Sequence, residues 1–281
     1  MRWWVAGAQG MLGQDMVGVL ERAGQEVTAT DRDVLDITDG AQVLDAVRGH
    51  HVVVNCAAWT AVDDAETHEP GAFDINAIGA ARLARAAAHH GARLVQISTD
   101  YVFPGDASTP YAEPAPLGPR SAYGRTKAAG EWAVAAEGAD HLIVRTAWLY
   151  GAGGHCFPKT IARIARERDH LDVVDDQIGQ PTWTMDLADL VLRLIRAQAP
   201  SGIYHGTSTG ETSWFEFARA VVGAAGLDRT MIRRTTSESA PGAAPRPAYS
   251  ALGHDALRRA GVEPIGDWLG RWTTAAPHVL S

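Results

Sequence analysis

Three side chains near the middle of the chain have the types and spacing needed to transfer a proton. Tyr123 and Lys127 are four residues apart, so a helix would place them one turn apart on the same face. The ammonium is then expected to lower the pKa of the phenol from its usual value of about 10, which allows proton exchange near neutral pH. Thr99 follows the apolar run from Leu94 to Ile97, which is typical of a buried parallel strand. Open α/β sheets bind ligands at the carboxyl ends of such strands.

A glycine-rich turn lies between the first predicted strand and the first predicted helix. Its glycines follow the spacing G-x-x-G-x-x-G at Gly7, Gly10 and Gly13. Gly7 permits a tight turn, Gly10 lets the backbone approach a pyrophosphate at the helix N-terminus, and Gly13 lets the helix lie close to the sheet. Because a strand precedes the turn and a helix follows it, the turn predicts a dinucleotide site.

Two further segments could contact that cofactor. Asp31 and Arg32 follow the second predicted strand, where the ribose of the adenosine half would lie. A carboxylate there suits a free 2′-hydroxyl and an arginine suits a 2′-phosphate, so the choice between NADH and NADPH stays open. Ala57 and Ala58, after the third strand, either let the backbone approach the cofactor or simply allow tight packing.

Strands and helices alternate at short intervals through the first half of the chain. The pattern predicts strands at 2–6, 26–29, 51–55, 93–98 and 141–146 and helices at 11–23, 39–48, 70–89 and 121–137. This repetition predicts an α/β fold with a Rossmann-like doubly wound parallel sheet. We expect residues 1–150 and about 184–226 to form the dinucleotide-binding domain. Residues 151–183 and about 227–281 are expected to form a smaller C-terminal α/β domain that binds the substrate.

Three loops interrupt or follow this alternation. The loop between the fourth strand and the helix at 121–137 is rich in Gly and Pro, and a loop of this length in a compact domain is usually functional. The segment from Asp175 to Thr182 looks like a polar turn that faces the substrate. The proline-rich loop 240–247 carries a single cation, Arg246, and is either a linker or the cap of a pocket.

Composition and charge are those of a globular protein. Of the 281 residues, 46% are hydrophobic and 21% are charged, and the formal net charge of −8 disfavours a nucleic-acid groove. Cys56 and Cys156 have no partners at metal-ligand spacing, so neither a disulfide framework nor a zinc site is predicted. No apolar run reaches the length of about 18 residues typical of a membrane helix, and no leader-like segment precedes the first strand. We therefore expect a cytoplasmic protein that binds neither nucleic acid nor a membrane.

Eight motifs spread over nearly the whole chain resemble those of one enzyme family. They are residues 7–13, 35–39, 55–63, 98–103, 123–131, 145–150, 176–182 and 246–250. On these motifs the chain resembles the dTDP-4-dehydrorhamnose reductases, which are extended short-chain dehydrogenases/reductases. The resemblance implies reduction of the 4-keto group of a dTDP-4-keto-6-deoxyhexose, above all dTDP-4-dehydro-L-rhamnose. The implied cofactor is NADPH, with NADH also possible.

Taken with the glycine turn, the resemblance implies roles for individual residues. Those expected to be catalytic are Thr99, Tyr123 and Lys127. Those expected to contact the cofactor are Gly7, Gly10, Met11, Leu12, Gly13, Asp31, Arg32, Asp36, Ile37, Ala57, Ala58, Trp59, Thr60, Tyr123 and Lys127. Those expected to contact the sugar nucleotide are Thr99, Asp100, Tyr101, Trp148 and Arg246. Trp148 would offer the deoxysugar an apolar face, although large aromatic side chains are more often packing residues.

Two other functions occur among proteins that resemble this chain. Sugar-nucleotide dehydratases and epimerases share the Tyr-x-x-x-Lys pair, but the dehydratases have a Thr-Asp-Glu run, and Tyr101 stands where that glutamate would be. The regulatory subunit of methionine adenosyltransferase is similar to this family and is a non-catalytic binding module. The intact hydroxyl, phenol and ammonium groups favour an enzyme.

The sequence departs from the family pattern at two places. Tyr249 precedes Ser250 where Asn is common, which weakens the expected contact of this loop with the nucleotide. Some relatives use carboxylates to hold Mg²⁺ between subunits, and here Asp15 is present but Met185 occupies the position of a second acid. No metal site and no metal-bridged dimer is predicted, and a need for Mg²⁺ is left open. The chain is expected to be a monomer or a weak homodimer.

Overall fold

The computed structural model describes residues 1–239 and 242–281, so Ala240 and Pro241 of the proline-rich loop lie outside the described residues. The strands are β1 Arg2–Ala6, β2 Glu26–Thr30, β3 Val52–Asn55, β4 Arg93–Thr99, β5 His141–Thr146, β6 Leu149–Tyr150, β7 Leu171–Val174, β8 Ile178–Gly179, β9 Thr182–Trp183, β10 Gly202–His205, β11 Ser208–Thr209, β12 Thr212–Ser213, β13 Ile232–Thr235 and β14 Ile265–Asp267. The α-helices are α1 Met11–Arg22, α2 Gly40–Val47, α3 Val62–Ala65, α4 Glu69–Phe73, α5 Ala80–His90, α6 Ala122–Ala136, α7 Phe157–Ile164, α8 Thr184–Arg196, α9 Trp214–Ala224, α10 Asp255–Arg259 and α11 Trp268–Val279. A π-helix spans Asp74–Gly79, and short 3₁₀ turns span Asp100–Val102, Arg229–Met231 and Ser237–Ser239.

The central sheet is parallel and has the strand order β10-β5-β4-β3-β1-β2. Helices cover both faces, so β1, β3, β4 and β5 are buried almost throughout, as their continuous apolar runs predict. The chain moves outward from β1 to β2 and then crosses back to β3, which makes the carboxyl ends of β1 and β3 a switch point where a ligand crevice opens. The predicted doubly wound sheet is confirmed.

Two hydrophobic layers sandwich this sheet. One layer packs α1 and α8 against the sheet around Met16, Leu20 and Leu187. The other packs α2, α5 and α6, and its alanine-rich α5 lets neighbouring helices approach closely. Within residues 1–239 and 242–281, no helix combines the length and the apolar character needed to cross a membrane.

A second hydrophobic core is formed by residues that follow β5 in the chain, and the elements around it make up the smaller part of the chain. It contains residues of α7, α9, α11, β7 and β13, with Phe217 and Trp272 near its centre. The expected domain boundary near residue 226 differs from the structure at α9. Its residues Phe215, Phe217 and Val221 are buried in the second core, whereas α8 and β10 stay with the large sheet. The sequence pattern does not show which of the two cores a segment such as α9 joins.

The helix predicted at 70–89 is three consecutive helical segments in the structure. α4 leads into the π-helix Asp74–Gly79, which continues as α5. A π-helical turn carries an extra residue and is frequent near functional sites. Here it buries the polar side chain of Asn76 against α6.

The buried ring of His205 makes the stability of the fold depend on pH. Its Nδ1 bonds to the carbonyl oxygen of Gly253 at 2.8 Å, and its Nε2 lies 3.4 Å from the guanidinium of Arg145. Burial first, and then the charge of Arg145, lower the pKa of His205 to about 3. Because the folded-state pKa of His205 lies below its unfolded value of about 6.5, the unfolded chain takes up this proton at a higher pH than the folded chain does. The stability that the neutral His205 ring contributes is therefore fully present above about pH 6.5 and decreases as the pH falls below it.

We predict that this histidine removes about 2 kcal/mol of stability between pH 7.5 and pH 5. His205→Asn keeps a donor for the Gly253 carbonyl and should flatten the dependence of the melting temperature on pH over that range. His170→Gln, at an exposed position, is the matched control and should leave the wild-type slope unchanged. Equal slopes for wild type and His205→Asn would contradict the assignment.

Candidate active site

A cavity of about 580 Å³ opens at the carboxyl ends of the central strands. It is lined by the glycine turn, by the segment after β3, by the end of β4, by α6, and by the chain that follows β5. The residues predicted for the site that line it are Gly10, Met11, Leu12, Gly13, Ala57, Ala58, Thr60, Thr99, Asp100, Tyr101, Tyr123, Lys127 and Trp148. Those predicted for the site that do not line it are Gly7, Asp31, Arg32, Asp36, Ile37, Trp59 and Arg246.

The glycine turn presents bare backbone to one end of this cavity. Gly7 has a φ of 76°, and a Cβ atom added to it would lie 2.6 Å from the amide nitrogen of Ala57. A Cβ atom added to Gly13 would lie 2.1 Å from the carbonyl oxygen of Gly7. Gly10 is the N-cap of the twelve-residue helix α1, and no side chain caps it. An uncapped helix N-terminus beside close-packed backbone fits the pyrophosphate of a dinucleotide.

Asp31 stabilises the glycine turn by hydrogen bonds to backbone amides. Its carboxylate accepts hydrogen bonds from the amides of Gln9 at 2.9 Å and Arg32 at 2.7 Å. The carboxylate is therefore turned toward backbone, and Arg32 is exposed. Asp36 accepts two bonds from Thr38, each at 2.8 Å, and so closes a local turn.

The three predicted catalytic side chains meet at the other end of the cavity. Thr99 is the last residue of β4, and Tyr123 and Lys127 lie one turn apart on α6. Ser121 is the N-cap of α6, and its hydroxyl accepts a hydrogen bond from the amide of Gly124 at 3.1 Å. A Cβ atom added to Gly124 would lie 2.3 Å from the carbonyl oxygen of Tyr101, so α6 lies directly on the turn that follows Thr99.

The expected lowering of the Tyr123 pKa by Lys127 is wrong for this structure. Burial raises the pKa of Tyr123 to about 12, against a smaller opposing effect of Thr99. The ammonium of Lys127 donates to the carbonyl oxygen of Ile97 at 2.6 Å, and burial lowers its own pKa to about 8. At neutral pH the phenol keeps its proton and can donate it, which is the state that a reduction requires.

Asp100 is a second titratable group in the same cavity. The Thr99 hydroxyl donates to its carboxylate at 3.0 Å, and the side chain is 2% exposed. Burial raises the pKa of Asp100 to about 6, while the hydroxyls of Ser250 and Thr99 act in the opposite direction. Tyr101 follows it and meets Tyr123 edge to face, with ring centroids 5.6 Å apart.

A buried ion pair that sequence reasoning missed lies behind the predicted catalytic side chains. The guanidinium of Arg145 on β5 donates to the carboxylate of Glu131 on α6 at 2.9 and 2.7 Å. The Ser98 hydroxyl donates to the same carboxylate. The available signal was an arginine and a serine inside strands that otherwise read as apolar, because charges inside such strands need partners.

Asn76 is another residue that sequence reasoning missed. Its side-chain oxygen accepts from the amide of Trp59 at 2.9 Å, and its side-chain nitrogen donates to the Thr126 hydroxyl at 3.0 Å. A Cβ atom added to Gly130 of α6 would lie 2.2 Å from the carbonyl oxygen of Asn76. The π-helix thereby ties the cofactor-side loop 55–60 to α6. The only sequence signal was an asparagine within an alanine-rich helical stretch.

The predicted substrate contacts divide into two groups. Trp148 lines the cavity, as do Thr99, Asp100 and Tyr101. Arg246 instead donates to the carboxylate of Asp63 at 2.7 Å, outside the cavity lining. This pair fixes the C-terminal loop to the chain that follows β3.

The turn from Asp175 to Thr182 is predicted to face the substrate, but none of its residues lines this cavity. The Gln180 side chain accepts from the amide of Leu252 at 2.8 Å and from the Thr207 hydroxyl at 2.8 Å. The polar groups of this turn therefore hold the smaller part of the chain together.

Asp15, considered above as a metal ligand, bonds to the Thr184 hydroxyl. Burial raises the pKa of Asp15, with the bond to Thr184 and the charge of Arg22 opposing. Across the described ranges, no group of three or more His, Cys, Asp or Glu side chains is placed to hold a metal ion.

We predict that Gly13→Ala weakens dinucleotide binding by about tenfold or more, because the new methyl group displaces the backbone of the turn. Gly18→Ala in the same helix is the control. Its Cβ atom would meet only the flexible guanidinium of Arg22, nearest at 3.1 Å, so the helix should gain up to about 1 kcal/mol and binding should not change. Cofactor titration followed by fluorescence, with melting temperatures, tests both. Normal affinity in Gly13→Ala would contradict the proposed fit of the glycine turn.

Comparison with known proteins places the chain in a family. The family model described as "RmlD substrate binding domain" matches residues 1–280. A dTDP-4-dehydrorhamnose reductase from Streptomyces griseus is 49% identical over 98% of this chain and 93% of its own length. A dTDP-4-keto-6-deoxy-D-glucose reductase from Streptomyces niveus is 47% identical over 98% of this chain and 96% of its own. The crystal structure of a Bacillus anthracis dTDP-4-dehydrorhamnose reductase in complex with NADP is 38% identical, with a TM-score of 0.93 over 98% of each chain. The chain therefore belongs to the RmlD family, the dTDP-4-dehydrorhamnose reductases and their relatives.

Proposed function

We propose that this protein reduces the 4-keto group of a dTDP-4-keto-6-deoxyhexose with NADPH. One observation carries the proposal. A hydroxyl, a protonated phenol and an ammonium converge at one end of a cavity whose other end is an uncapped helix N-terminus behind a glycine turn. The family model that matches residues 1–280 supports ketone reduction as the reaction that this arrangement would catalyse.

NADPH, when bound, supplies the hydride for this reaction. The amide groups at the start of α1 would hold the pyrophosphate, and the segment from Ala57 to Thr60 would lie along the middle of the dinucleotide. Lys127 has three donors, of which one is bonded to the Ile97 carbonyl, so it would also hold hydroxyls of the nicotinamide ribose. NADH would fit the same backbone, because the glycine turn does not distinguish the two cofactors.

Tyr123 would act as the proton donor. As negative charge develops on the C4 oxygen of the sugar, the phenol gives its proton to that oxygen, and the C4 carbonyl becomes a hydroxyl. Thr99 would hold the same oxygen by a hydrogen bond, and the charge of Lys127 would stabilise the phenolate left behind. Tyr101 follows Asp100 in the cavity where a dehydratase would carry a glutamate, which favours reduction over elimination.

The sugar nucleotide would bind between the large sheet and the smaller part of the chain. We propose that the substrate-binding domain comprises residues 151–183, α9 and the chain from about 227 to the end. Asp100, Tyr101 and Trp148 would contact the sugar. The two Streptomyces relatives have names that denote different 4-keto sugars at almost the same identity, so we propose the class, with dTDP-4-dehydro-L-rhamnose as the first substrate to test.

The first prediction from the proposed function concerns the proton donor. Tyr123→Phe should lower kcat by about a hundredfold or more and leave the Kd for NADPH within about twofold of the wild type. Tyr204→Phe, at a buried tyrosine of β10 that does not line the cavity, is the matched control and should keep full activity. Turnover is followed by NADPH oxidation with the enzymatically prepared 4-keto sugar nucleotide. Unchanged kcat in Tyr123→Phe would refute the assigned role.

The second prediction concerns the choice of cofactor. Both cofactors should be accepted, with NADPH preferred, because Arg32 is exposed and able to pair with a 2′-phosphate while Asp31 is turned toward the Gln9 amide. Arg32→Ala should raise KM for NADPH by about tenfold and change KM for NADH little. Arg48→Ala removes another exposed arginine and serves as the control. Equal changes for both cofactors in Arg32→Ala would show that this arginine does not read the phosphate.

A further inference from the structure

Trp148 adopts a backbone conformation that large side chains rarely adopt. Its φ is 47°, in the left-handed region, and Gln198 is the only other described residue besides glycine with a positive φ. Trp148 stands between β5 and β6, and its carbonyl oxygen accepts from the amide of Thr182 at 3.2 Å. Such a conformation persists only where the surroundings hold it.

The ring of Trp214 packs flat against the Trp148 indole. The ring centroids are 3.6 Å apart and the planes differ by 9°. Trp214 is the first residue of α9, and the Ser213 hydroxyl caps that helix by accepting from the amide of Glu216 at 3.2 Å. Its ring also meets Phe157 of α7, with centroids 4.5 Å apart. Trp214 is therefore anchored in the second core and is not part of the cavity lining.

Gly179 leaves the space that the Trp148 indole occupies. A Cβ atom added to Gly179 would lie 2.5 to 2.8 Å from three indole atoms, Cε2, Cζ2 and Nε1. Gly179 has no positive φ, so glycine is required here for space and not for backbone freedom. The strand that carries it, β8, pairs with β12, which leads directly into α9. The antiparallel pair of β8 and β12 therefore places Gly179 next to the start of α9, where Trp214 lies.

We infer that Trp214 is a positioning residue that sets the affinity for the sugar by holding Trp148 in its left-handed conformation at the cavity wall. Gly179 also contributes, because its lack of a side chain leaves room for the Trp148 indole. This inference rests on the proposed function, because it assumes that Trp148 contacts the sugar. It extends that function by assigning an affinity-determining role to a side chain outside the cavity lining.

The test is a mutant cycle on the two tryptophans, read as KM for the sugar nucleotide and KM for NADPH. Trp214→Ala should raise KM for the sugar nucleotide by about two- to tenfold, the range that one aromatic contact supplies, and leave KM for NADPH unchanged. Trp214→Phe should recover most of the loss. If Trp214 acts through Trp148, the double variant Trp148→Ala/Trp214→Ala should resemble Trp148→Ala alone. Trp132→Ala, at a tryptophan that is 63% exposed on α6, should match the wild type.

A second variant keeps the inference testable if Trp214→Ala does not fold. Gly179→Ala keeps both tryptophans, but its Cβ atom would force the Trp148 indole to shift, so it should raise KM for the sugar nucleotide in the same way. Additive effects of the two tryptophan substitutions, or unchanged KM values with only a lower melting temperature, would overturn the inference and make Trp214 a packing residue.

Binding of dTDP-rhamnose measured by calorimetry in the presence of NADP⁺ separates the inference from the proposed function. A wild-type protein that binds this product, with Trp214→Ala binding it equally well, would refute the inference alone. A folded wild-type protein that binds NADP⁺ but neither binds nor turns over the sugar nucleotide would refute the proposed function, and the inference with it.

Discussion

The buried ion pair between Arg145 and Glu131 is the interaction on which the site geometry depends. Their side chains are 2% and 3% exposed, so neither charge can be compensated by water if its partner is lost. Removing one partner of such a pair typically costs about 3 to 5 kcal/mol. Glu131 lies one turn beyond Lys127, and Ser98, which also bonds to Glu131, lies next to Thr99. The pair therefore fixes the distance between the end of β4 and the face of α6 that carries Tyr123 and Lys127.

The same burial determines the protonation states at the reacting end of the cavity. Withdrawal from water disfavours every charged form, and it raises the pKa values of Tyr123 and Asp100 and lowers that of Lys127. A phenol that retains its proton is a poor base but a suitable donor to a carbonyl that is gaining negative charge. In the proposed mechanism the ammonium of Lys127 stabilises the phenolate as it forms, because the attraction between opposite charges is stronger where the dielectric constant is low. At neutral pH the phenol is therefore in the protonation state that a proton donor needs.

Much of this was predictable from the sequence, because the signals are local. The β-α alternation predicts the sheet, the glycine spacing predicts the turn before α1, and the order of Thr99, Tyr123 and Lys127 predicts their meeting at strand ends. The failures concern properties that depend on tertiary contacts. The pKa of Tyr123 rises because of burial that its helical spacing from Lys127 does not reveal. Gln180 turns inward because its partners, Thr207 and Leu252, are far away in the sequence.

The two ends of the cavity are built by different physical means. At the cofactor end, backbone lies against backbone at Gly7 and Gly13, where a single methyl group has no room. At the proposed sugar end, the wall includes a side chain, Trp148, which stacks on Trp214, and both indoles pack against the second hydrophobic core. Backbone contacts of the first kind tolerate almost no change, whereas side-chain packing of the second kind can be altered without moving the sheet. A change of sugar is therefore expected to arise from substitutions in the second core, with cofactor binding and the position of Tyr123 preserved.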